Sequence, residues 1–340
     1  MSNRRDHDWS RREFLGAAAL AGTGALLGLR SEAVAAEPPA ETKRIRLVQT
    51  FAVCEAPQYV AEELLRSEGF TDVQYVLKDS PAAIGAAVSA GEADVSMQFS
   101  GPLILRVERG EPITILAGIH PGCYELFTAR PVRSLLDLKG RTIAVRTLNG
   151  PEHIFLSSMM AYIGLDPGKD IQWVTYPAAQ SMELLGQGKI DAFMGFPPQP
   201  QELRARKIGH VLVDSNVDRP WSTYFCCMLA GNRDFVRAHP IATKRALRAI
   251  LKATDVCAVE RDRAARVMVE TGRTPNYGLM RQVLDELRYD RWREYDPEDT
   301  VRFYALRMHQ VGMIKSSPQK IISQGTDWRF LKELKKELKA

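Results

Sequence analysis

Glu55, Ser100, Glu125, Asn149 and His153 are polar side chains at positions where the chain turns into or out of regular structure, and the chemistry they suggest is recognition. Phe99, Phe196, Trp221 and Tyr224 stand near them and offer apolar faces. Apolar walls with a few polar groups are the composition of a pocket that fixes one small molecule. Pro57 and Pro151 each open a helical pattern, and the first N–H groups of such helices favour an anion if they face a cleft. Gln58, Gly101, Cys123 and Pro197 complete the expected ligand-contact set. Each assignment has a structural alternative. Glu55 precedes a helix and can cap it. Glu152, in a first turn, suits the helix dipole better than a ligand. His153 can be solvated, and Phe99 and Phe196 can pack the core. Arg146 can clamp an anion or join a surface ion pair.

Catalytic patterns are missing downstream of the N-terminal segment: there is no G-x-S-x-G, Walker A loop or H-E-x-x-H. The one Gly-rich run, GTGALLG, lies inside that segment. His120, Cys123 and His153 match no standard zinc spacing, so no metal, catalytic residue or cofactor is expected. Five cysteines, at 54, 123, 226, 227 and 257, form no C-x-x-C pair, and their odd number leaves at least one thiol free. Cys226 and Cys227 are adjacent on a strand pattern, face opposite ways and are poorly placed to join each other. Most of the five are expected as small buried apolar residues.

The elements that must position these groups are written twice. SAGEADVSMQFSG at 89–101 and LGQGKIDAFMGFPP at 185–198 align Gly91 with Gly188, Asp94 with Asp191, Met97 with Met194 and Phe99 with Phe196. The flanks repeat as well. A strand at 43–50, a helix from Pro57 stopped by Gly69, a strand at 73–77, a helix at 81–90 and a strand at 95–99 form one βαβαβ unit. A strand at 142–145, a helix from Pro151, a strand at 171–176, a helix at 178–187 and a strand at 190–196 form the second. Each glycine is a left-handed helix stop. Each phenylalanine ends a strand at the carboxyl edge of its sheet, where open α/β sheets place ligands. Two such edges facing one another make the cleft of a closing clamp.

A strand at 113–119 follows the first unit, residues 121–129 cross to the second, and 222–230 return. Helices are expected at 241–260, 277–288, 298–312 and 327–338, as a tail against the first lobe. The expectation is an α/β fold of two lobes, each a doubly wound, mainly parallel sheet, with a helical C-terminal tail. The boundaries are 43–124 and 125–222 for the lobes and 223–340 for the return and tail.

With 340 residues, 45% hydrophobic and 26% charged, the chain has ordinary globular composition. Its net charge of +5 is scattered, without the basic stripe of a nucleic-acid binder. No apolar run reaches the roughly 18 residues of a membrane span.

Ser10-Arg11-Arg12-Glu13-Phe14-Leu15 resembles the twin-arginine export motif, followed by an apolar run at 16–29 and a small-x-small site at Ala33-Val34-Ala35. Residues 1–35 are therefore expected to be a removed signal that passes through the twin-arginine translocase, leaving a periplasmic protein. Such export carries chains already folded, so a disulfide need not form.

The stretch Ser134 to Val145, S-L-L-DLKG-R-T-IAV, resembles the start of the second lobe in type II periplasmic solute-binding proteins. It is most similar to the group that binds aliphatic sulfonates, taurine, nitrate and thiamine-pyrimidine precursors for ATP-driven importers. Ala56-Pro57-Gln58-Tyr59-Val60-Ala61 resembles the entry to that family's first helix, and the likeness covers residues 43–260. It implies a monomeric, non-catalytic receptor that captures a small organic solute and delivers it to an inner-membrane ABC permease. Glu55 and Glu125 in one cleft would repel a bare dianion, which leans the solute towards a nitrogen-containing ring or amine over a sulfonate. Two alternatives stay open. One is a pyrimidine-precursor synthase on the same fold, which needs a Schiff-base lysine and an iron-binding cysteine cluster. The other is a sensor subunit.

Overall fold

The computed structural model describes residues 37–50, 52–78 and 81–338, so the expected signal at 1–35 lies outside the described residues. The strands in chain order are β1 (Arg44–Val48), β2 (Asp72–Val76), β3 (Val95–Phe99), β4 (Ile113–Pro121), β5 (Glu125–Thr128), β6 (Thr142–Val145), β7 (Gln172–Thr175), β8 (Ala192–Gly195), β9 (His210–Asp214) and β10 (Phe225–Asn232). Both sheets built from them belong to one compact unit that begins at Ala40.

The second sheet has the order β7-β6-β8-β5-β9. β6 runs parallel to β7 and β8, while β5 runs antiparallel to β8 and β9. The first sheet is in two pieces: a parallel pair β1-β2 and an antiparallel trio β3-β10-β4. β3, β4 and β10 are buried along their whole length, as expected of strands covered on both faces, whereas β2, β7 and β9 lie at edges and are only partly covered.

The repeated aspartates do the same work in both halves. The Asp94 N–H donates to the Arg46 carbonyl at 2.8 Å, and its carboxylate accepts the Arg46 N–H at 2.8 Å. The Asp191 N–H donates to the Thr142 carbonyl at 2.9 Å and its carboxylate accepts the Thr142 N–H at 2.9 Å. Each aspartate thus latches the third strand of its unit to the first. Gly91 (φ 71°) and Gly188 (φ 66°) turn the preceding helix into that latch through the left-handed region.

The helix over Pro151–Tyr162 starts at its proline, and the chain near Ser134 is shaped by a capping box in which Asp137 accepts the Ser134 N–H at 2.9 Å. The expected helices at 81–90 and 178–187 are shorter, Pro81–Ala86 and Ala178–Gly186. Several short helices were not read from the sequence. Arg233–Ala238 is capped by Asn232, whose side chain accepts from Asp234 and Phe235 at 3.1 Å. Ser100–Glu108 follows β3 directly, and Gln199–Ala205, Arg261–Glu270 and Pro318–Gly325 are further examples.

The C-terminal helices follow the expected positions, at Pro240–Val259, Tyr277–Glu286, Pro297–Gln310 and Arg329–Glu337. Their packing corrects one expectation. Pro240–Val259 lies on the helices Ala56–Val60 and Glu62–Ser67 of the first sheet, but Pro297–Gln310 packs on both Ser100–Glu108 and Pro151–Tyr162, so the tail supports both halves. One hydrophobic core accordingly runs through both sheets, with a smaller one around Phe127, Met182, Leu185 and Phe193 on the other face of the second.

Candidate functional site

β3 and β8 carry the ends of the repeated phrase towards each other. Phe99 and Phe196 meet with ring centroids 4.8 Å apart and are buried, and Tyr124 joins both at 5.9 and 6.4 Å. Tyr124 in turn stacks on Phe155 at 4.8 Å, and Trp221 lies edge-on to Phe155. The helices behind these rings touch through Gly101. A Cβ built there would lie 2.7 Å from Ile154 Cγ2, so only glycine lets Ser100–Glu108 approach Pro151–Tyr162 this closely. The seam between the two sheets is therefore aromatic, with the rings in contact.

Charged groups border the seam. Arg146 lies over the Phe196 ring at 4.5 Å and donates to Glu152 at 2.6 Å. Glu152 is fully buried and its Oε2 has no hydrogen-bond partner. Glu152 is buried and Arg146 half-buried, so this is not the surface pair expected for Arg146. Glu125 is ion-paired with Arg204, which also holds Glu286 at 2.6 Å. Burial raises the Glu125 carboxyl, and the Arg204 guanidinium offsets part of that rise. The expected repulsion between Glu55 and Glu125 in one cleft does not arise, because Glu125 is held by this arginine.

Glu55 differs. It is buried at the end of the turn Val53–Glu55, makes no capping bond, and its Oε2 has no hydrogen-bond partner. Burial pushes its carboxyl up to about 8, so it is mostly protonated at neutral pH. Pro57 sits buried at the start of Ala56–Val60.

Other expected ligand contacts have partners within the protein. The Gln58 amide donates to the Val48 carbonyl at 2.8 Å and accepts from the Met97 N–H at 2.8 Å and the Ser96 hydroxyl at 2.9 Å. It stitches the two pieces of the first sheet, which is why they are not joined by an unbroken ladder. Ser100 Oγ donates to the Phe225 carbonyl at 2.6 Å. Cys123 is bonded to Cys226 in a disulfide, so it offers no thiol, and its backbone sits at φ 95° with the N–H donating to Asn216. Cys226 and Cys227 do not join each other, but they do not face opposite ways as expected: bulges in β10 bring their sulfurs to 3.9 Å, and all five cysteines are buried.

Asn149 takes φ 60° and its N–H donates to His153 Nδ1 at 3.1 Å. His153 lies edge-on to Trp173 at 4.6 Å, and burial pulls its imidazole down to about 4. It is packed and neutral instead of solvated. Pro197 is buried behind Phe196. Tyr224 stacks on Phe303 at 4.0 Å and lines a depression of about 480 Å³ with Tyr295, Asp299 and Arg307. It does not join the Phe99–Phe196 contact.

The sequence reading missed Tyr124, Arg204 and the grouping of Cys54, His120 and Cys227, whose ligand atoms lie within 4.8 Å of one another. It had set His120 beside Cys123 and His153 instead. The true neighbours follow from the antiparallel register, which pairs Cys227 with His120 on one side and with Phe99 on the other. No spacing along the chain reveals that register.

Among the described residues no helix is long and apolar enough to cross a membrane. The solved structures similar to this chain include the periplasmic nitrate-binding protein of Synechocystis, with a TM-score of 0.73 at 15% identity over 88% of this chain and 90% of that one. A putative sulfonate ABC transporter's periplasmic sulfonate-binding protein from Methylobacillus flagellatus gives 0.66 at 18% identity over 87% and 94%. These likenesses show the fold, the two-lobe periplasmic binding protein architecture. The bicarbonate-binding protein of Synechococcus elongatus is 28% identical over 125 residues, 37% of this chain and 27% of its own length. The taurine-binding periplasmic protein of Escherichia coli is 25% identical over 186 residues, 54% of this chain and 57% of its own. The chain thus spans about a quarter to a little over half of these relatives, each named as a binding protein. The NMT1-like family model matches residues 38–271, more than half of the chain, and the chain belongs to that family.

Proposed function

We propose that the protein is the periplasmic receptor of an ABC importer, closing around one small organic solute between lobes at 43–124 and 125–222. In this reading 223–340 returns to the first lobe, and an inner-membrane permease receives the solute. The observation that carries the reading is the meeting of Phe99 and Phe196, the two ends of one repeated phrase, at 4.8 Å. Two sheet edges that present the same residue to each other suit a clamp, and a solute would sit against these rings when they part. Tyr124 completes the apolar wall, and Arg146 and Glu152 supply the polar border.

The solute would be small, with a flat or apolar face and one polar group. Arginine-bound Glu125 is no bare carboxylate to reject an anion, which restores sulfonate-like anions beside nitrogen-containing rings and amines.

A thermal-shift panel of sulfonates, taurine, nitrate, bicarbonate, aromatic carboxylates, pyrimidines and polyamines tests this. A ligand at 100 times its Kd adds about 2.7 kcal/mol, enough to move the midpoint by several degrees. Phe99→Ala with Phe196→Ala is expected to weaken that ligand at least tenfold per folded molecule. Undiminished affinity in the folded double variant would remove the solute from this seam.

A further inference from the structure

We infer that Cys54, His120 and Cys227 form a site for one thiophilic divalent metal ion, best fitted by zinc. The ligand atoms of these residues lie within 4.8 Å of one another, and all three residues have zero exposure. His120 and Cys227 are cross-strand partners on β4 and β10, and cross-strand partners project from the same face. Cys54 reaches them from the turn Val53–Glu55.

Two further observations point to a ligand. His120 Nε2 is buried and has no hydrogen-bond partner, while Nδ1 lies 3.3 Å from the Pro121 carbonyl. That is the usual arrangement of a metal-bound imidazole, with one nitrogen oriented by a carbonyl and the other left for the ion. Glu55 Oε1 lies 4.0 Å from Cys227 Sγ and its Oε2 is unpartnered, so a carboxyl borders the group of three without belonging to it. Tyr289 braces the group from outside. Its hydroxyl donates to the Cys54 carbonyl at 2.8 Å and its ring lies edge-on to His120 at 5.1 Å.

Buried polar atoms without partners are rare, and each calls for an explanation. An ion held by the three answers the His120 nitrogen. Two sulfurs and an imidazole suit zinc far better than magnesium or calcium, which take oxygen donors. Cys226 cannot join, because it is bonded to Cys123. The cluster lies one strand from Phe99, but it rests on its own residues and stands or falls apart from the identity of any solute.

The test uses the full chain with the Cys123–Cys226 disulfide verified by peptide mapping, stripped with a chelator and titrated with Co²⁺ under anaerobic conditions. The expected result is one ion per chain, a thiolate-to-cobalt absorption band, the visible bands of a tetrahedral ion, and displacement by Zn²⁺. Cys227→Ser and His120→Gln are expected to lower Co²⁺ affinity at least tenfold, while Cys257→Ser leaves it unchanged. Should either ligand variant fail to fold, the wild-type cobalt spectrum decides. Absence of the thiolate band overturns the proposal. So does a Cys54–Cys227 disulfide found by peptide mapping after metal addition, or unchanged Co²⁺ affinity in folded Cys227→Ser.

Discussion

Glu125 and Glu152, on the side of the second sheet, are each held by an arginine, Arg204 and Arg146 respectively. Glu55, on the side of the first sheet, is as deeply buried and has beside it two thiols and an imidazole. A carboxylate in a dry interior must be paired or stay protonated, and the two halves adopt one solution each. The second sheet fixes its charges with permanent cations, although Glu152 Oε2 keeps no hydrogen-bond partner. The first leaves a carboxyl oxygen and an imidazole nitrogen unsatisfied beside sulfur, which is the chemistry of a site that takes something up.

The largest expected effect comes from removing the cation on the paired side. Arg204→Ala strands Glu125 at 3% side-chain exposure and also releases Glu286. Breaking a buried pair from one side costs about 3 kcal/mol when the cation is part exposed, as Arg204 is. Urea unfolding would show this, and adding Glu125→Gln should recover most of the loss. A loss of under 1 kcal/mol would mean that water or another cation replaces Arg204, and the contrast between the halves would shrink.

The next test compares the two latches. Asp94 is buried and also pairs with Arg46 at 2.6 Å, whereas the Asp191 side chain is 43% exposed and lies 3.7 Å from Arg141. Asp94→Ala is expected to cost about 2–3 kcal/mol, since it leaves a part-buried guanidinium unpaired and a strand N–H without its acceptor. Asp191→Ala is expected to cost about 1 kcal/mol, because water can replace an exposed acceptor. Equal costs in chemical unfolding would mean that the latch, not its burial, sets the energy.

These latches mark what was legible in the sequence. The Gly, Asp and Phe of the repeated phrase were readable because glycine stops and strand ends depend on neighbours along the chain, and β3 and β6 lie where the pattern put them. The meeting of Phe99 with Phe196 followed from two equal sheet edges. What stayed hidden depends on register and on cross-chain partners. Gln58 reads as a helix-entry residue yet completes a sheet, and Glu125 reads as a free carboxylate until Arg204 arrives from another helix. His120 faces Cys227 only because of the β4–β10 pairing, which carries bulges on both sides of Cys227. The short helix Arg233–Ala238 did have a local signal, the Asn232 cap, and could have been found.

The smallest expected effect is the pH dependence that His153 adds in the second half. His153 is held neutral, with its imidazole pulled down to about 4 by burial against Trp173. In the unfolded chain it titrates near 6.5, so between about pH 6.5 and 4 the unfolded state binds more protons than the folded one. Stability from this group is therefore full above pH 6.5 and falls as pH drops through that window. The ring is part exposed, so the loss should be about 1 kcal/mol, well under the limit set by the shift itself. His153→Gln should lessen the slope of unfolding free energy against pH in that window while leaving the alkaline side unchanged. If the slope is undiminished in the variant, the acid sensitivity belongs to other buried groups and His153 contributes none of it.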